Sequence, residues 1–273
     1  MKKLILSIAL AIATHSVFAN TCNIVVPIKP GGATDIVARI MQKYNPNITI
    51  DYRPGVYVSA AISHVENNPS AGIITLPTMY SSQNPNKNPN VTAIKVFGSY
   101  DHGIITNKDI TISDILTKKM NVGISFFGSP AHVIGEQLKE KNPNINLVSF
   151  GGDTNALASV KNGDVDVYIT AWPSIESWTN DFKFKTLLKI TAGAGVMIED
   201  IKLTNISLFA IFMSNNSTRE QRSHMLNCVN TALNNEGLKN DFKKIYMNIL
   251  NEDEEKATKS IQNYINTLIR YGI

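Results

Sequence analysis

The sequence predicts an α/β fold built on parallel sheets, as one large domain or as two lobes with a cleft between them, and two observations carry that expectation. Short apolar runs alternate with helical patterns along the chain, the mark of parallel sheets built from βαβ units rather than of a sandwich or a bundle. The chain has 273 residues, enough for one large domain or for two lobes that each bury a core of ordinary size. Two lobes leave a crevice where they meet.

The amino terminus sets the compartment. Met1-Lys2-Lys3 is a positive start, Leu4 to Ala13 an apolar run, and Val17-Phe18-Ala19 a small-residue cleavage site, the three parts of an export signal. The run is too short to cross a bilayer, which takes about 20 apolar residues in a helix. The expected product is a periplasmic chain that begins at Asn20, with residues 1–19 removed. A lipid anchor on Cys22 is disfavoured, because Thr21 stands where a small residue is wanted. Loss of Lys2 and Lys3 takes the net charge from +4 to +2, and no basic run remains to suggest nucleic acid or a membrane surface. In an oxidising compartment Cys22 and Cys228 either join in a disulfide or stay as two buried thiols. His64, His102, His132 and His224 are scattered, and Asp164 with Asp166 reads as a loop leading into a strand. Neither a metal nor a cofactor is expected.

Taken in order, the expected strands are Asn23 to Pro27, Ile48 to Tyr52, Gly72 to Leu76, Ile94 to Tyr100, Gly103 to Asn107, Asn121 to Ser125, Asn146 to Phe150, Val165 to Thr170, Lys185 to Ile190 and Leu208 to Met213. Helices fall between most of them. Ser82 to Asn90 has two prolines and no apolar side chain, which predicts a surface loop. From Ser217 onward the spacing predicts helices only, over Thr218 to Asn235, Leu238 to Leu250 and Glu252 to Tyr271, with apolar stripes that pack on a sheet.

The segment Ile24-Val25-Val26-Pro27-Ile28-Lys29-Pro30-Gly31-Gly32-Ala33-Thr34-Asp35-Ile36-Val37-Ala38-Arg39 runs from a strand through two glycines into a helix. Backbone N–H groups at such a turn, with the partial positive charge of a helix start, hold an anion without a cationic side chain. Phosphate is the rival to carboxylate. The turn lacks both the Gly-Lys-Ser/Thr of a P-loop and the G-x-G-x-x-G of a dinucleotide site, which argues against a nucleotide. Asp35 and Arg39 are spaced for an i,i+4 pair that stabilises the helix.

This segment resembles the signature of the tripartite tricarboxylate transporter receptors, the Bug family of solute-binding proteins. Four further stretches are similar in order: Ile50-Asp51-Tyr52-Arg53-Pro54-Gly55, the loop and helix start from Val122 to Glu136, Val148 to Leu157, and Gly163 to Val167. The resemblance covers most of residues 24 to 174 and is weak over the last hundred. It implies a two-lobed periplasmic binding protein of the type II, Venus-flytrap kind, with a central cleft and two crossover strands. One lobe would comprise 20–102 with 208–273 and the other 103–207, the chain crossing near Gly103 and Ser207. It further implies a monomeric receptor for a small carboxylate, serving membrane subunits of a tripartite tricarboxylate-type transporter. By position, Pro30, Gly31, Gly32, Asp35, Thr75 and Thr78 would line the cleft from one lobe, and Ser125, Gly128, Ser129, His132, Gly152, Asp153 and Thr154 from the other.

Two departures from the family pattern bear on the ligand. Val56-Tyr57-Val58 replaces a Gly-Ala-Gly run, and Gly151-Gly152-Asp153 replaces a Lys-Gly, which makes a ligand with one acid group and an amine or a ring credible beside a dicarboxylate. Two other readings stand against the carrier. The same fold could serve as the sensing subunit of a signalling partner, or Ser129 and His132 could be the start of a hydrolase or transferase site. Catalysis is not expected, because no G-x-S-x-G elbow surrounds either serine of the 125–129 loop.

Overall fold

The computed structural model describes residues 21–55, 58–81, 89–179 and 182–273. The export signal expected over 1–19, the bulky Val56-Tyr57 pair and most of the 82–90 loop lie outside the described residues. The hydrophobic runs with β-branched side chains form strands buried on both faces, as parallel strands covered by helices must be. Strands β1 (Cys22–Val26), β2 (Ile48–Tyr52) and β3 (Gly72–Thr75) lie parallel in the order β2-β1-β3, with Val25 opposite Asp51 on one side and Ile73 on the other. Helix α1 (Ala33–Tyr44) follows β1 and α2 (Ser59–Asn67) follows β2. Strand β4 (Val91–Tyr100) ends this first pass.

The chain then enters a second sheet with the same plan. Strand β5 (His102–Thr106) and the short helix α3 (Ile112–Thr117) lead to β6 (Met120–Ile124), α4 (Pro130–Lys141), β7 (Ile145–Ser149), α5 (Asp153–Asn162), β8 (Val167–Ala171), α6 (Trp172–Thr179) and β9 (Lys185–Ile190). The strand order is β7-β6-β8-β5-β9, with β7-β6-β8 parallel and β5 antiparallel to both its neighbours. A small hairpin, β10 (Val196–Ile198) and β11 (Ile201–Leu203), precedes the return. Strand β12 (Phe209–Ser214) then inserts antiparallel between β3 and β4 of the first sheet. Helices α7 (Arg219–Leu233) and α8 (Glu236–Lys244), strand β13 (Met247–Glu252) and helix α9 (Glu254–Arg270) complete it.

Each sheet carries apolar clusters on both faces. In the first, Ile24, Val26, Met41 and Phe97 pack with Phe242 on one side, and Val25, Ile62, Ile73 and Phe212 with Ile261 on the other. In the second, Val122, Ile124, Ile134 and Ile169 face one way, and Tyr168, Val160 and Trp178 the other. Two crossings join the lobes and are bonded to each other: the Asn205 amide donates to the carbonyls of Tyr100 (2.8 Å) and Ile190 (3.1 Å). Asp101, between β4 and β5, accepts from Ala192 N–H at 3.0 Å and pairs with Lys189 at 3.0 Å. Cys22 on β1 and Cys228 on α7 form a disulfide with Cα atoms 6.4 Å apart. Among the described residues no helix is long and apolar enough to cross a membrane.

One expected element is corrected. The helix predicted over Leu238 to Leu250 stops at Lys244, and Met247–Glu252 is a strand on the edge of the first sheet, with Met247 opposite Tyr100. Leu238, Phe242, Ile245 and Ile249 have helical spacing, but Tyr246 takes a left-handed φ of 54° that breaks the helix. The next residues then pair with the edge of β4, a partner that no local pattern encodes.

Candidate ligand-binding site

The carboxyl ends of β1, β2 and β3 face those of β6 and β7, the position where open α/β sheets form their crevices. A cavity of about 420 Å³ lies there, lined from one lobe by the 27–34 turn, Pro54, Gly55, Val58 and the 75–78 stretch, and from the other by Phe126, Phe127, Ser149 and the turn at 151–155. Both lobes contribute to one enclosure, and they touch beside it. The Thr154 hydroxyl donates to the Pro30 carbonyl at 3.3 Å, and a Cβ placed on Gly31 would lie 3.6 Å from the same hydroxyl oxygen.

Three helices begin at this cavity, and none is capped by the side chain of its own N-cap residue. Those residues are Gly32 for α1, Val58 for α2 and Gly152 for α5, and all three line the cavity. By contrast Thr111, Ser129, Thr218, Asn235 and Asp253 cap α3, α4, α7, α8 and α9 with their side chains. The first turn of any helix leaves backbone N–H groups without an intrahelical partner, and here the uncapped ends converge on one space. Gly152 takes φ 133° and ψ 156°, a region open only to glycine. That geometry, with the N–H of Gly152 donating to the Ser125 carbonyl at 3.0 Å, aims the start of α5 at the cavity.

Of the residues expected at the cleft, Gly32, Thr75, Thr78, Gly152, Asp153 and Thr154 line the cavity. Pro30, Gly31, Asp35, Ser125, Gly128, Ser129 and His132 lie behind or beside the lining. Asp35 is buried and organises the turn: its carboxylate accepts from Gly31 N–H (2.8 Å), the Arg39 guanidinium (2.9 Å) and the Tyr52 hydroxyl (2.5 Å). Burial, with this carboxylate beside it, pushes the Tyr52 hydroxyl up to about 12. Asp153 lines the cavity with its backbone while its carboxylate accepts from Tyr168 (2.7 Å) and Ser174 (2.6 Å) inside the second lobe. Burial raises that carboxyl above its ordinary value, and hydrogen bonds from Ser174 and Tyr168 oppose the shift.

The 128–130 turn, expected to offer outward amides, is turned to structural use. Gly128 N–H donates to Nδ1 of His132 at 3.1 Å, the Gly128 carbonyl accepts from the Tyr264 hydroxyl at 2.7 Å, and a Cβ on Gly128 would come within 2.6 Å of Ser81 in the other lobe. Glycine is required there by that close approach. Ser129 caps α4 and donates to the Phe126 carbonyl at 2.6 Å. His132 is buried, its ring edge-on to Phe127, and burial with the nearby Lys139 lowers its pKa to about 4. With Nδ1 accepting from a backbone amide, His132 is not placed as a base on Ser129.

Sequence reasoning did not single out Pro27, Ile28, Lys29, Thr34, Pro54, Gly55, Leu76, Phe126, Phe127, Ser149 or Asn155, while Val58 and Gly151 entered only as departures from the family pattern. Most sit directly after a predicted strand, which is the signal that would have found them. Val58 stands in the run that replaces a Gly-Ala-Gly, and it takes a left-handed φ of 67° that is exceptional for a valine.

No protein-family model matches the sequence, and no curated protein matches it. Solved structures do match. R. palustris Rpa4515 with adipate is similar at a TM-score of 0.77 and 18% identity, covering 92% of this chain and 97% of that one. The periplasmic binding protein BugD is similar at 0.74 and 15%, covering 93% and 98%, and MatC from Rhodopseudomonas palustris with bound malate at 0.71 and 16%, covering 91% and 98%. The chain therefore has the periplasmic binding protein fold, in the two-lobed form shared with these structures.

Proposed function

We propose that this protein is an extracytoplasmic receptor that captures a small carboxylate between its lobes, without catalysing its conversion. The observation that carries the reading is the convergence of uncapped helix N-termini from both lobes, at Gly32 and Gly152, on one cavity. An acid group placed there accepts from first-turn amides of α1 and α5 together and meets the positive ends of two helix dipoles. Because it touches both lobes, it binds the closed arrangement more tightly than the open one, and that difference drives closure. Adipate and malate in the Rpa4515 and MatC structures support a carboxylate for the present chain. The leader-like residues 1–19 support a periplasmic location, and the family resemblance over residues 24 to 174 supports delivery, as a monomer, to membrane subunits of a tripartite tricarboxylate-type transporter.

Thermal melts of the chain from Asn20 onward, against a panel of mono-, di- and tricarboxylates, test the reading. A ligand at a hundred times its Kd adds about 2.7 kcal/mol of stability. A panel in which no carboxylate raises the midpoint, or in which a hit is chemically converted, sinks the proposal.

A further inference from the structure

Resting on the carboxylate-receptor reading, we infer that the ligand carries one acid group on a compact apolar body, a ring acid or branched aliphatic acid, rather than two or three acid groups on a hydroxylated chain. The first observation is the closeness of the two anion-binding ends. Thr154, in the first turn of α5, reaches the Pro30 carbonyl beside the start of α1, so a single carboxylate spans both helix starts. A second acid group would have to lie elsewhere in the cavity.

The rest of the lining offers weaker support for one than the paired starts of α1 and α5 offer for the first. Among the described residues it holds one basic side chain, Lys29, which is exposed, and none from the second lobe. The polar side chains at the start of α5 are already engaged: Thr154 with Pro30, Asn155 with the Phe150 carbonyl at 3.1 Å, and Asp153 with Tyr168 and Ser174. A second carboxylate would meet one bare helix start, that of α2, and the hydroxyls of Thr34, Thr75, Thr78 and Ser149, against two converging starts for the first, and no cation besides the exposed Lys29. Apolar surface fills the space instead. Ile28, Val58, Leu76, Phe126 and Phe127 line the cavity, and the Phe126 ring lies 3.3 Å from where a Cβ on Gly152 would stand. An aromatic face therefore adjoins the anion-binding start of α5, which suits a ring bearing its carboxylate directly or on a short stem.

Isothermal titration calorimetry of the wild-type chain with benzoate, phenylacetate and cyclohexanecarboxylate, against succinate, malate and citrate, tests this. The expected result is at least tenfold tighter binding of the ring acids, with the negative heat-capacity change of apolar burial. Malate, succinate or citrate binding as tightly as the ring acids overturns the inference and leaves the carboxylate receptor standing, whereas no binding by any of the six overturns both. Phe126→Ala supplies a second arm. It should weaken the ring acids at least tenfold and propanoate less than threefold, and equal loss for both acids counts against the ring's role.

Discussion

His102 shows how a single buried side chain sets the response of this protein to acid. It is fully enclosed at the first crossing, stacked on Tyr100 with ring centroids 5.1 Å apart, and burial lowers its pKa to about 3, with Asn205 opposing. The folded state thus holds the imidazole neutral, while the unfolded chain takes up a proton near 6.5. Stability is full above that value and falls as pH drops from 6.5 toward 3, since the unfolded state then binds more protons. The loss at pH 5 is about 2 kcal/mol for this group, at 1.36 kcal/mol per pH unit, and His132 adds a loss in the same direction between 6.5 and about 4. His102→Phe keeps the stack and removes the proton site. Urea denaturation at pH 7.5 and pH 5 should show a smaller pH-dependent loss in the variant, by about 2 kcal/mol; an unchanged difference means that His102 is not buried neutral.

At the scale of the element, the relevant property is the bare start of α1. Gly32 has no side chain to satisfy the first-turn amides, and under the proposed function the ligand's acid group serves as the cap. Gly32→Ser would supply an internal cap, and the one close neighbour of the new Cβ is the flexible end of Ile28 at 2.8 Å. The unliganded protein should gain a few tenths of a kcal/mol. Carboxylate affinity should fall tenfold to a hundredfold, because a hydrogen bond to a charged group is worth about 1.5–3 kcal/mol. Calorimetry on the variant checks the trade, and unchanged affinity would place the acid group away from α1.

At the scale of the whole molecule, the lobes are coupled by a few long-range ties. The Tyr264 hydroxyl on α9 satisfies the buried Gly128 carbonyl of the other lobe. Tyr264→Phe leaves that acceptor unmet in the closed arrangement, at a cost of about 1–3 kcal/mol, whereas in an open arrangement water can reach it. Ligand affinity should drop by roughly fivefold or more through the closure equilibrium, and small-angle scattering should show a more expanded ligand-free protein. An unaltered Kd would mean that this tie persists in both arrangements. Within the first lobe, the Cys22–Cys228 bridge closes a loop of 206 residues. In the chain-entropy model its reduction costs about 5 kcal/mol, so melts with and without reductant should differ by many degrees; coincident melts would contradict a stabilising bridge.

The ten strands expected from apolar runs are all present within a few residues, Ile48–Tyr52 and Lys185–Ile190 to the residue, because strand burial is written in local periodicity. The glycine turns were equally plain, and Asp35 with Arg39 formed the pair that their spacing implies. Which turn meets the ligand was not local information. The amide of Gly128 is taken by His132 and its carbonyl by a tyrosine 136 residues away, while the turn at Gly152 keeps a bare helix start at the cavity. The carboxylate of Asp153 points inward because Tyr168 and Ser174 wait behind it, and Met247–Glu252 is a strand because β4 offers it an edge. Periodicity records which face of an element is buried. Which donors stay free depends on partners brought close only when the sheets assemble and the lobes meet.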